Sequence, residues 1–397
     1  MPNTRRTPEL RFPGFGGEWE VVRAAEIFDN RKERGNADLR IYSITQDQGY
    51  VPRDTLDREF RSNAGPETNL RAYKGDLAYN MMRMWQGAVS EADADGMISP
   101  AYIVLAPKED VCSTFYLYLF DNTRYLYKLW AYSHGLTKDR LRLYFSDFSQ
   151  IRLPLPSLPE QQKIVAFLRA VDARAALLRR QVAALQAYKR GVMQRIFDRE
   201  VRFGAGEWEK YTLGSITKWS SGGTPSKKRS DYWEGDIPWI SASSMHAYDL
   251  NNSDLKITEK AVSDGAKLVH AGTLLLLVRG SMLYKRIPLG ITTRTVAFNQ
   301  DVKALKVDES VTSPTFLMHW FQANENNLLN MVLTTGMGAG KLDTDDLQSL
   351  DISLPPLAEQ RRITAFLGAL DARVARVQRA LEGVEVFRRG VLGVVFV

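Results

Sequence analysis

Apolar residues recur at heptad spacing in two stretches of the chain. In the first stretch the two stripes are Ile164, Val171, Leu178, Leu185 and Val192, with Leu168, Ala175, Val182, Lys189 and Ile196. In the second stretch they are Ile363, Leu370, Val377, Val384 and Val391, with Leu367, Val374, Leu381, Arg388 and Val395. Nine of the ten positions in each stretch are apolar. The pattern predicts two coiled-coil helices, each on the order of 50 Å long.

The two heptad stretches are copies of one another. Residues 155–174 recur as residues 354–373, at an offset of 199 residues. The single charged position within the apolar stripes falls at the same place in both copies, at Lys189 and Arg388. This agreement indicates that the two helices are homologous and that the chain contains an internal repeat.

A shorter repeat opens each half of the chain. Arg-Phe followed by Gly-Glu-Trp-Glu occupies residues 11–20 and residues 202–209. Between this motif and the helix, residues 21–150 and 210–350 share little sequence. The chain is therefore predicted to have a first variable domain (1–153), a first helical spacer (154–198), a second variable domain (199–353) and a second helical spacer (354–397).

Short β-like runs broken by Gly, Pro and Asp occur in both variable regions, at residues 40–44, 101–105, 274–279 and 295–298. The expected fold class is α/β (α+β). It has two domains with mixed sheets, separated by two long antiparallel coiled-coil helices in a pseudo-two-fold internal repeat. Antiparallel helices would hold the two domains about a helix length apart. Such an arrangement suits the reading of two separated half-sites on a DNA duplex.

Charge and cysteine content narrow the function classes. A net charge of +7 and a pI near 9.3 suggest a polyanionic partner, although a basic composition alone is a weak indication. The single cysteine, Cys112, excludes an intramolecular disulfide and favours a reducing cytoplasm. The first ten residues lack the apolar core of a signal peptide, and the longest apolar run, residues 273–278, is too short to cross a bilayer.

Polar and cationic residues cluster in each variable region in a way that suits nucleic acid, because Arg and Lys neutralise phosphates and Arg, Asn, Gln and Ser read base edges. In the first region the predicted DNA-binding residues are Asn80, Arg83, Gln86, His134, Lys138 and Arg140. In the second region they are Lys227, Lys228, Ser241, Ser243, Arg279, Ser281 and Lys285. Any one of them taken alone better suits a solvated surface side chain, so the prediction rests on the clusters. Trp85 and Trp239 beside them suit a hydrophobic core better than base stacking.

Signatures of catalysis are missing from the sequence. Residues 335–342 resemble a phosphate-binding loop, but Thr335 replaces its first glycine and Leu342 replaces the Ser or Thr that binds Mg²⁺. A glycine-rich turn near DNA is the better interpretation. The four histidines lack metal-ligand spacing, and neither a serine-nucleophile motif nor a methyltransferase tetrad occurs. The sequence predicts no catalytic site, no cofactor and no metal.

The repeated motifs resemble a known family. Residues 155–164 and 354–363 both read Leu-Pro-x-Leu-x-Glu-Gln-x-x-Ile, and each long helix closes on an aromatic-basic-basic-Gly motif. These motifs, with the opening Arg-Phe and Gly-Glu-Trp-Glu, resemble the conserved regions of type I restriction–modification specificity subunits. Residues 222–240 are similar to the start of many target-recognition domains of that family. The chain departs from the family at residues 390–397, which are more apolar and glycine-rich than the usual charged helix.

The resemblance implies partners for the chain. Each target-recognition domain would read one half of a bipartite site in double-stranded DNA. Two methyltransferase subunits, which methylate adenine with S-adenosylmethionine, would dock along the helices, and an ATP-dependent restriction subunit can join. The chain itself would bind neither cofactor. The implied subunit or helix interface consists of Glu160, Gln161, Ile164, Phe167, Leu168, Val171, Glu359, Gln360, Ile363, Phe366, Leu367 and Leu370.

Other interpretations stay open at the level of sequence. The chain could be the specificity subunit of a type IIB-like fused nuclease–methyltransferase. It could also be a scaffold whose coiled coil joins two protein-binding domains, which predicts no sequence-specific DNA binding. A cryptic nuclease or methyltransferase would instead show activity in the isolated chain.

Overall fold

A computed structural model describes residues 7–45, 48–56, 65–137, 140–336 and 338–396. The chain divides into two units by its internal contacts. Unit 1 comprises Met1–Arg180 together with Gln378–Val397, and unit 2 comprises Gln181–Val377. Each unit thus contains one variable region, part of the first long helix and part of the second.

In the described part of unit 1, ten short strands and four short helices precede the first long helix. The strands are β1 (Glu20–Arg23), β2 (Phe28–Arg31), β3 (Ile41–Thr45), β4 (Gly49–Pro52), β5 (Leu70–Ala72), β6 (Leu77–Asn80), β7 (Val89–Glu91), β8 (Gly96–Ile98), β9 (Tyr102–Pro107) and β10 (Arg152–Leu155). The helices are α1 (Ala24–Ile27), α2 (Ser113–Phe120), α3 (Thr123–Ala131), α4 (Phe145–Phe148) and the long α5 (Leu158–Phe197).

Unit 2 has more strands, several of them only two residues long. The strands are β11 (Glu209–Thr212), β12 (Thr217–Ser221), β13 (Trp233–Ile240), β14 (Asp249–Leu250), β15 (Lys256–Ile257), β16 (Leu268–Val269), β17 (Leu274–Leu277), β18 (Arg279–Gly280), β19 (Leu289–Thr292), β20 (Val296–Phe298), β21 (Val302–Val307), β22 (Leu333–Thr334), β23 (Gly340–Lys341) and β24 (Asp351–Leu354). The helices are α6 (Glu259–Ser263), α7 (Pro314–Ala323), α8 (Glu325–Asn330), α9 (Thr344–Gln348) and the long α10 (Leu357–Val395).

The two variable regions have similar sheet topology, and the first sheet of unit 2 has one additional strand, β14, which is parallel to β19. A first sheet has the order β2-β9-β6-β7 in unit 1 and β12-β21-β17-β19-β14 in unit 2. A second sheet has the order β4-β3-β8-β5 in unit 1 and β15-β13-β20-β16 in unit 2. In each second sheet the two central strands are parallel and the outer strands are antiparallel to them. The predicted mixed sheets are therefore present, and the repeat extends through regions that share little sequence.

The predicted strands lie close to their expected positions, with one difference. The run at residues 274–279 is not a single strand, because β17 ends at Leu277 and Arg279 already belongs to β18. The chain leaves the first sheet at Val278, whose carbonyl accepts a hydrogen bond from Leu342 N at 2.8 Å. Arg279 then pairs with Lys341 in a separate small ladder.

The buried core of each unit includes the heptad stripes of its helix segments. In unit 1, Ile164 and Leu168 pack with the aromatic residues of α2 and with Val391 and Val395 of α10. In unit 2, Ile363 and Leu367 pack with Met193 and Ile196 of α5. Burial of each such side chain stabilises the fold by about 1.5–3 kcal/mol. The heptad prediction is confirmed.

The two long helices run antiparallel where they meet. In unit 1, Asp172 and Arg179 of α5 form ion pairs with Arg388 and Glu385 of α10, so the numbering rises on one helix as it falls on the other. In unit 2, Lys189 of α5 pairs with Asp371 of α10. These pairs account for the two charged positions in the apolar stripes.

The end of the second helix is ordered by the core of unit 1. Helix α10 continues through Gly383, Gly390 and Gly393 to Val395. The Phe396 ring packs against the Phe115 ring, with 5.3 Å between their centroids, and the Leu392 carbonyl accepts a hydrogen bond from the Asn122 side chain. The apolar C-terminal sequence is therefore core-forming, which explains its departure from the charged helix that the family resemblance implied.

Candidate nucleic-acid interface

A turn at the edge of the first sheet of unit 1 presents three of the predicted DNA-binding residues. This edge turn of unit 1, residues 80–87, follows β6 and contains a short 3-10 helix anchored by the fully buried Met84. The Asn80 side-chain oxygen accepts a hydrogen bond from Met82 N at 2.9 Å. The exposed side chains of Arg83 and Gln86 contact each other, with 3.3 Å between Nη1 and Oε1. The turn is therefore rigid at its base and polar at its surface.

A hairpin stands beside this turn. In the edge hairpin of unit 1, described at residues 133–137 and 140–143, the backbones of His134 and Arg142 exchange two hydrogen bonds of 2.9 and 2.8 Å. Gly135 permits the two arms of the hairpin to approach each other closely, because a Cβ there would lie 2.4 Å from the Arg140 carbonyl oxygen. Leu143 N donates to the carbonyl of Met81 in the edge turn at 2.9 Å. The fold thus brings Asn80, Arg83, Gln86, His134 and Arg140 to one edge, whereas Lys138 lies outside the described residues.

Aromatic side chains extend this edge in a way that the sequence analysis missed. Tyr127 and Trp130 on α3 are exposed, with 5.5 Å between their rings, and α3 lies against the edge turn. Tyr132 and Tyr144 are exposed at the two ends of the edge hairpin. An amphipathic pattern over residues 123–131 was the available signal, but it does not tell which aromatic residues face solvent. Such rings can stack on bases or pack on sugars.

Unit 2 has the same construction with different residues. Its edge turn, residues 278–285, follows β17, and its edge hairpin, described at residues 333–336 and 338–342, contains β22 and β23. Leu342 N donates to Val278 O, just as Leu143 N donates to Met81 O in unit 1. The Tyr284 hydroxyl lies 3.2 Å from Thr334 Oγ1 and joins turn to hairpin. The exposed predicted residues are Arg279, Ser281 and Lys285.

Two serines lie next to this edge turn. Ser241 and Ser243 follow β13, and their hydroxyl oxygens are 3.0 Å apart. Ala242, between them, has its Cβ 3.9 Å from the position that a Cβ on Gly280 would take. Ser241 and Ser243 therefore belong to the same surface as Arg279 and Ser281.

The lysine loop of unit 2 starts close to the same place. Gly222 contacts the β20 backbone so closely that a Cβ would lie 2.0 Å from Phe298 O. The Trp239 indole N–H donates a hydrogen bond to Gly223 O at 3.0 Å, and its side chain is buried. Trp239 is therefore a core residue, as predicted. Lys227 and Lys228 are exposed further along this loop. No described contact joins these two lysines to Arg279 or Ser241, so they lie beside the cluster rather than in it.

The predicted interface residues at the start of the long helices pack within their own units. Ile164, Leu168, Ile363 and Leu367 are buried in the cores, and a second, half-buried group consists of Phe167, Val171, Phe366 and Leu370. The Phe167 ring lies 5.5 Å from that of Phe12, and the Phe366 ring lies 5.3 Å from that of Phe203. Whether this set also contacts another subunit stays a prediction.

Two buried carboxylates hold the opening motifs onto the helices. Glu160 accepts hydrogen bonds from Nε and Nη2 of Arg11 at 2.7 and 2.8 Å. Glu359 accepts hydrogen bonds from Nε and Nη2 of Arg202 at 3.0 and 3.2 Å. Burial would raise the pKa of Glu359, but the Arg202 guanidinium and the backbone N–H of Phe203 lower it overall. The Glu359 carboxylate is therefore an anion clamped inside the chain, and Glu160 makes the matching ion pair with Arg11.

The glutamines that follow these carboxylates also serve the chain itself. Gln161 accepts a hydrogen bond from Cys112 N at 2.8 Å and donates to the carbonyls of Asp110 and Pro156. Gln360 accepts from the Thr312 hydroxyl at 2.9 Å and donates to the carbonyls of Val311 and Pro355. Each Glu-Gln pair thus fastens the variable domain and the opening motif to the helix.

Different residues of the helices remain open to solvent. Large apolar side chains are exposed at Leu177 and Tyr188 of α5 and at Val386 and Phe387 of α10. Tyr188 and Phe387 occupy the same place in the repeat. Both belong to the repeated aromatic-basic-basic-Gly motif, and their position off the heptad stripe was a usable sequence signal of exposure.

Metal-binding clusters and membrane-spanning helices were considered for the residues that the structure describes. These residues contain no group of three or more His, Cys, Asp or Glu side chains arranged to hold a metal ion. None of their helices is long and apolar enough to cross a membrane.

The sequence matches a family model and several curated proteins. The model, described as the type I restriction modification DNA specificity domain, matches residues 17–187 and again residues 205–385. The EcoR124I/EcoR124II specificity subunit of Escherichia coli is 32% identical over 61% of this chain. The MjaIX and MjaVIII specificity subunits of Methanocaldococcus jannaschii are 26% and 21% identical over 45% and 98% of it. These alignments cover 61%, 41% and 94% of the three relatives' own lengths.

Solved structures share the fold over nearly the whole chain. A chain from a study of assembly and conformational transition in a type I restriction–modification system has a TM-score of 0.61 at 20% identity, covering 97% of this chain and 98% of its own. The S subunit from M. genitalium gives 0.60 at 15% identity, covering 98% and 99%. The HsdS subunit from Thermoanaerobacter tengcongensis gives 0.51 at 21% identity, covering 97% of both chains. The matches do not favour the type IIB-like or scaffold interpretations.

Proposed function

The chain belongs to the type I restriction–modification DNA specificity family, and from that premise we propose that it is the DNA-recognition subunit of such a system, without catalysis of its own. Each unit would read one half of a bipartite target. One observation carries the proposal: the same edge of the same fold presents an exposed polar turn and hairpin twice, with unlike side chains in the two units. A duplicated frame with unlike donors is what two different half-sites require.

The edge turns and hairpins would make the base and phosphate contacts. In unit 1, Asn80 and Gln86 suit adenine, and Arg83 suits guanine or phosphate. In unit 2, Arg279 takes the corresponding cationic role, and the serines at 241 and 243 can donate to either a base edge or a phosphate. The exposed lysines at 227 and 228 would add phosphate contacts at the margin of the surface.

The long helices would dock two methyltransferase subunits, and a restriction subunit can join the assembly. The exposed aromatic pair Tyr188 and Phe387 supports this part of the proposal, because the repeat places one in each half and so offers the same feature to two similar partners. Exposed apolar residues on a helix are suited to a protein interface. A subunit of this kind would work in the cytoplasm, where the DNA is.

The length of the helices would set the spacer between the half-sites. A helix advances about 1.5 Å per residue and B-DNA about 3.4 Å per base pair, so four residues added between Ala173 and Leu185 correspond to nearly two base pairs. The expected result is unchanged half-sites with a spacer longer by about one or two base pairs, the smaller value because the insertion shifts the heptad register. An active complex that kept the original spacer would show that the helices dock the methyltransferases without measuring DNA.

The function is tested by comparing the isolated chain with the assembled complex. The purified chain alone should neither cut nor methylate DNA, whereas the complex with its methyltransferase subunits should methylate a bipartite site. Mapping methylated sites in host DNA with and without the gene identifies that site. Methyl transfer by a rigorously purified single chain would contradict the proposal, and a complex without sequence-specific DNA binding would favour a scaffold.

A further inference from the structure

The edge hairpin of unit 1 holds an apolar side chain entirely in solvent. Leu136 is 104% exposed, which makes it the most exposed of the large hydrophobic residues described. It lies just beyond the point where the two arms of the hairpin are tied by the His134 and Arg142 backbone bonds and by the close approach of Gly135 to Arg140. The hairpin therefore holds Leu136 in solvent above a hydrogen-bonded base. Because its side chain is not buried, it contributes no hydrophobic stabilisation to the fold.

The surroundings of Leu136 suit a polyanion rather than another protein core. His134, Arg140 and Arg142 are exposed on the same hairpin, and Tyr132 and Tyr144 are exposed at its ends. The base of the hairpin is bonded to the edge turn that carries Asn80 and Arg83. An isolated exposed leucine needs no explanation. A leucine surrounded by cations and aromatic rings, on an edge proposed to bind DNA, resembles the apolar side chains that some proteins insert between base steps. Proteins that bend DNA insert apolar side chains between base steps while cations hold the phosphates on either side.

Unstacking a base step is unfavourable, and burial of a leucine side chain in the opened step offsets part of that cost. A methyltransferase must take its target base out of the stack before it can reach the reactive atom. A side chain that fills the opened step would therefore favour the extruded base.

We propose that Leu136 is a wedge that enters the base stack of the half-site read by unit 1 and lowers the cost of extruding the base to be methylated there. This inference rests on the proposed function. Leu136 acts on the DNA and not on the methyl group, so it is a positioning residue whose effect should be confined to one half-site.

The test uses the assembled complex and a duplex that contains both half-sites. 2-Aminopurine replaces the target adenine in one half-site at a time, and its fluorescence rises when the base leaves the stack. Methylation is measured on the unsubstituted duplex, because 2-aminopurine lacks the 6-amino group that accepts the methyl. Leu136→Ala should reduce the fluorescence rise and slow methylation about tenfold at the first half-site, while dissociation constants change by less than about threefold. Leu136→Met should keep most of the wild-type signal, because its side chain can also fill the step. Leu255→Ala, at an exposed leucine of unit 2, is the matched control and should change nothing.

The outcomes separate the wedge from the proposed function. Specific binding by the Leu136→Ala complex with an unchanged fluorescence rise and unchanged methylation at the first half-site would overturn the wedge alone. Equal losses at both half-sites would also overturn it, because a wedge acts only where it inserts. If the wild-type complex bound no specific sequence, the proposed function would fall and the wedge with it.

Discussion

In unit 1 the edge turn and edge hairpin carry arginine and histidine between two exposed tyrosines, whereas in unit 2 they carry serine, threonine and glycine with a few cations and the exposed Tyr284. The backbone bond that joins hairpin to turn is the same in both, from Leu143 N to Met81 O and from Leu342 N to Val278 O. The frame is thus fixed by burial and backbone hydrogen bonding, while the exposed side chains are free to differ. This is how one fold can serve two unlike DNA sequences.

The ion pairs that fasten each variable domain to the two long helices differ from the edges, because here the side chains are repeated between the two units. Arg388 bonds Asp172 and Asp121 in unit 1, and Lys189 bonds Asp371 with Gln322 nearby in unit 2. Repeated polar residues therefore hold the domains in place. The small differences between the ion pairs of the two units make specific predictions.

The largest expected effect is at the clamped carboxylates. Among the described residues, Glu160 receives hydrogen bonds from Arg11 alone, whereas Glu359 also receives one from Phe203 N. Arg11→Ala should therefore leave a buried carboxylate unpaired and reduce the free energy of unfolding of unit 1 by about 3 kcal/mol or more. Arg202→Ala should cost unit 2 less. Hydrogen exchange at β1 and β10, compared with β11 and β24, measures the two effects separately, and equal losses would contradict the comparison.

The Glu359 clamp should also give unit 2 an acid-sensitive component. Because the pKa of Glu359 in the folded chain is below its ordinary value of 4.5, its contribution is complete above that pH and is lost as the pH falls through the lowered value. Thermal unfolding between pH 6 and pH 3 should show the difference between wild type and Arg202→Ala shrinking in acid. A difference that stayed constant over this range would rule out the clamp as its source.

A smaller effect is expected at the repeated ion pairs. Lys189 is only 8% exposed and would lose its anionic partner after Asp371→Asn, keeping neutral acceptors such as Gln322, so the variant should lose about 1–3 kcal/mol of unfolding free energy. Asp172→Asn should cost less than about 1 kcal/mol, because the more exposed Arg388 retains Asp121. Denaturant unfolding of the two variants tests the order. A larger loss from Asp172→Asn would reverse the assignment of the stronger ion pair.

An effect on DNA binding rather than on stability is expected at single arginines of the two edges. Arg83→Ala and Arg279→Ala should each weaken binding of the assembled complex, by about 1–3 kcal/mol with relaxed specificity at one position if the contact is to a base. If the contact is to a phosphate, binding should weaken for all sequences and the salt slope should fall by about one. Titrations at several salt concentrations distinguish the two. A variant with unchanged affinity and slope removes that arginine from the interface.

The sequence predicts the frame of the molecule better than its surface. The heptads and the repeat specify both helices and imply a second domain like the first. Positions that are buried along a helix are apolar at regular spacing, and this spacing is visible in the sequence. Lys189 and Arg388 stand out in that pattern, but their partners Asp371 and Asp172 are distant in sequence and emerge only when the helices are paired.

The candidate site depends on contacts that leave no such pattern in the sequence. Tyr127 and Trp130 face solvent because α3 packs on the edge turn with its opposite face, which no local pattern specifies. Gln161 and Gln360 belong to the family motif, and only the structure reveals that their amides bond loops of their own unit. Side chains that bind DNA and side chains that fasten loops have the same polar composition, so sequence alone does not separate them.

The central claim is that each unit reads its own half of the target, and one measurement tests it directly. Residues 21–150 are replaced by the corresponding domain of another family member, the complex is assembled with its methyltransferase subunits, and the methylated sites are sequenced. The account predicts that one half of the bipartite site changes while the other half and its bases remain as they were. A change of both half-sites together would contradict it.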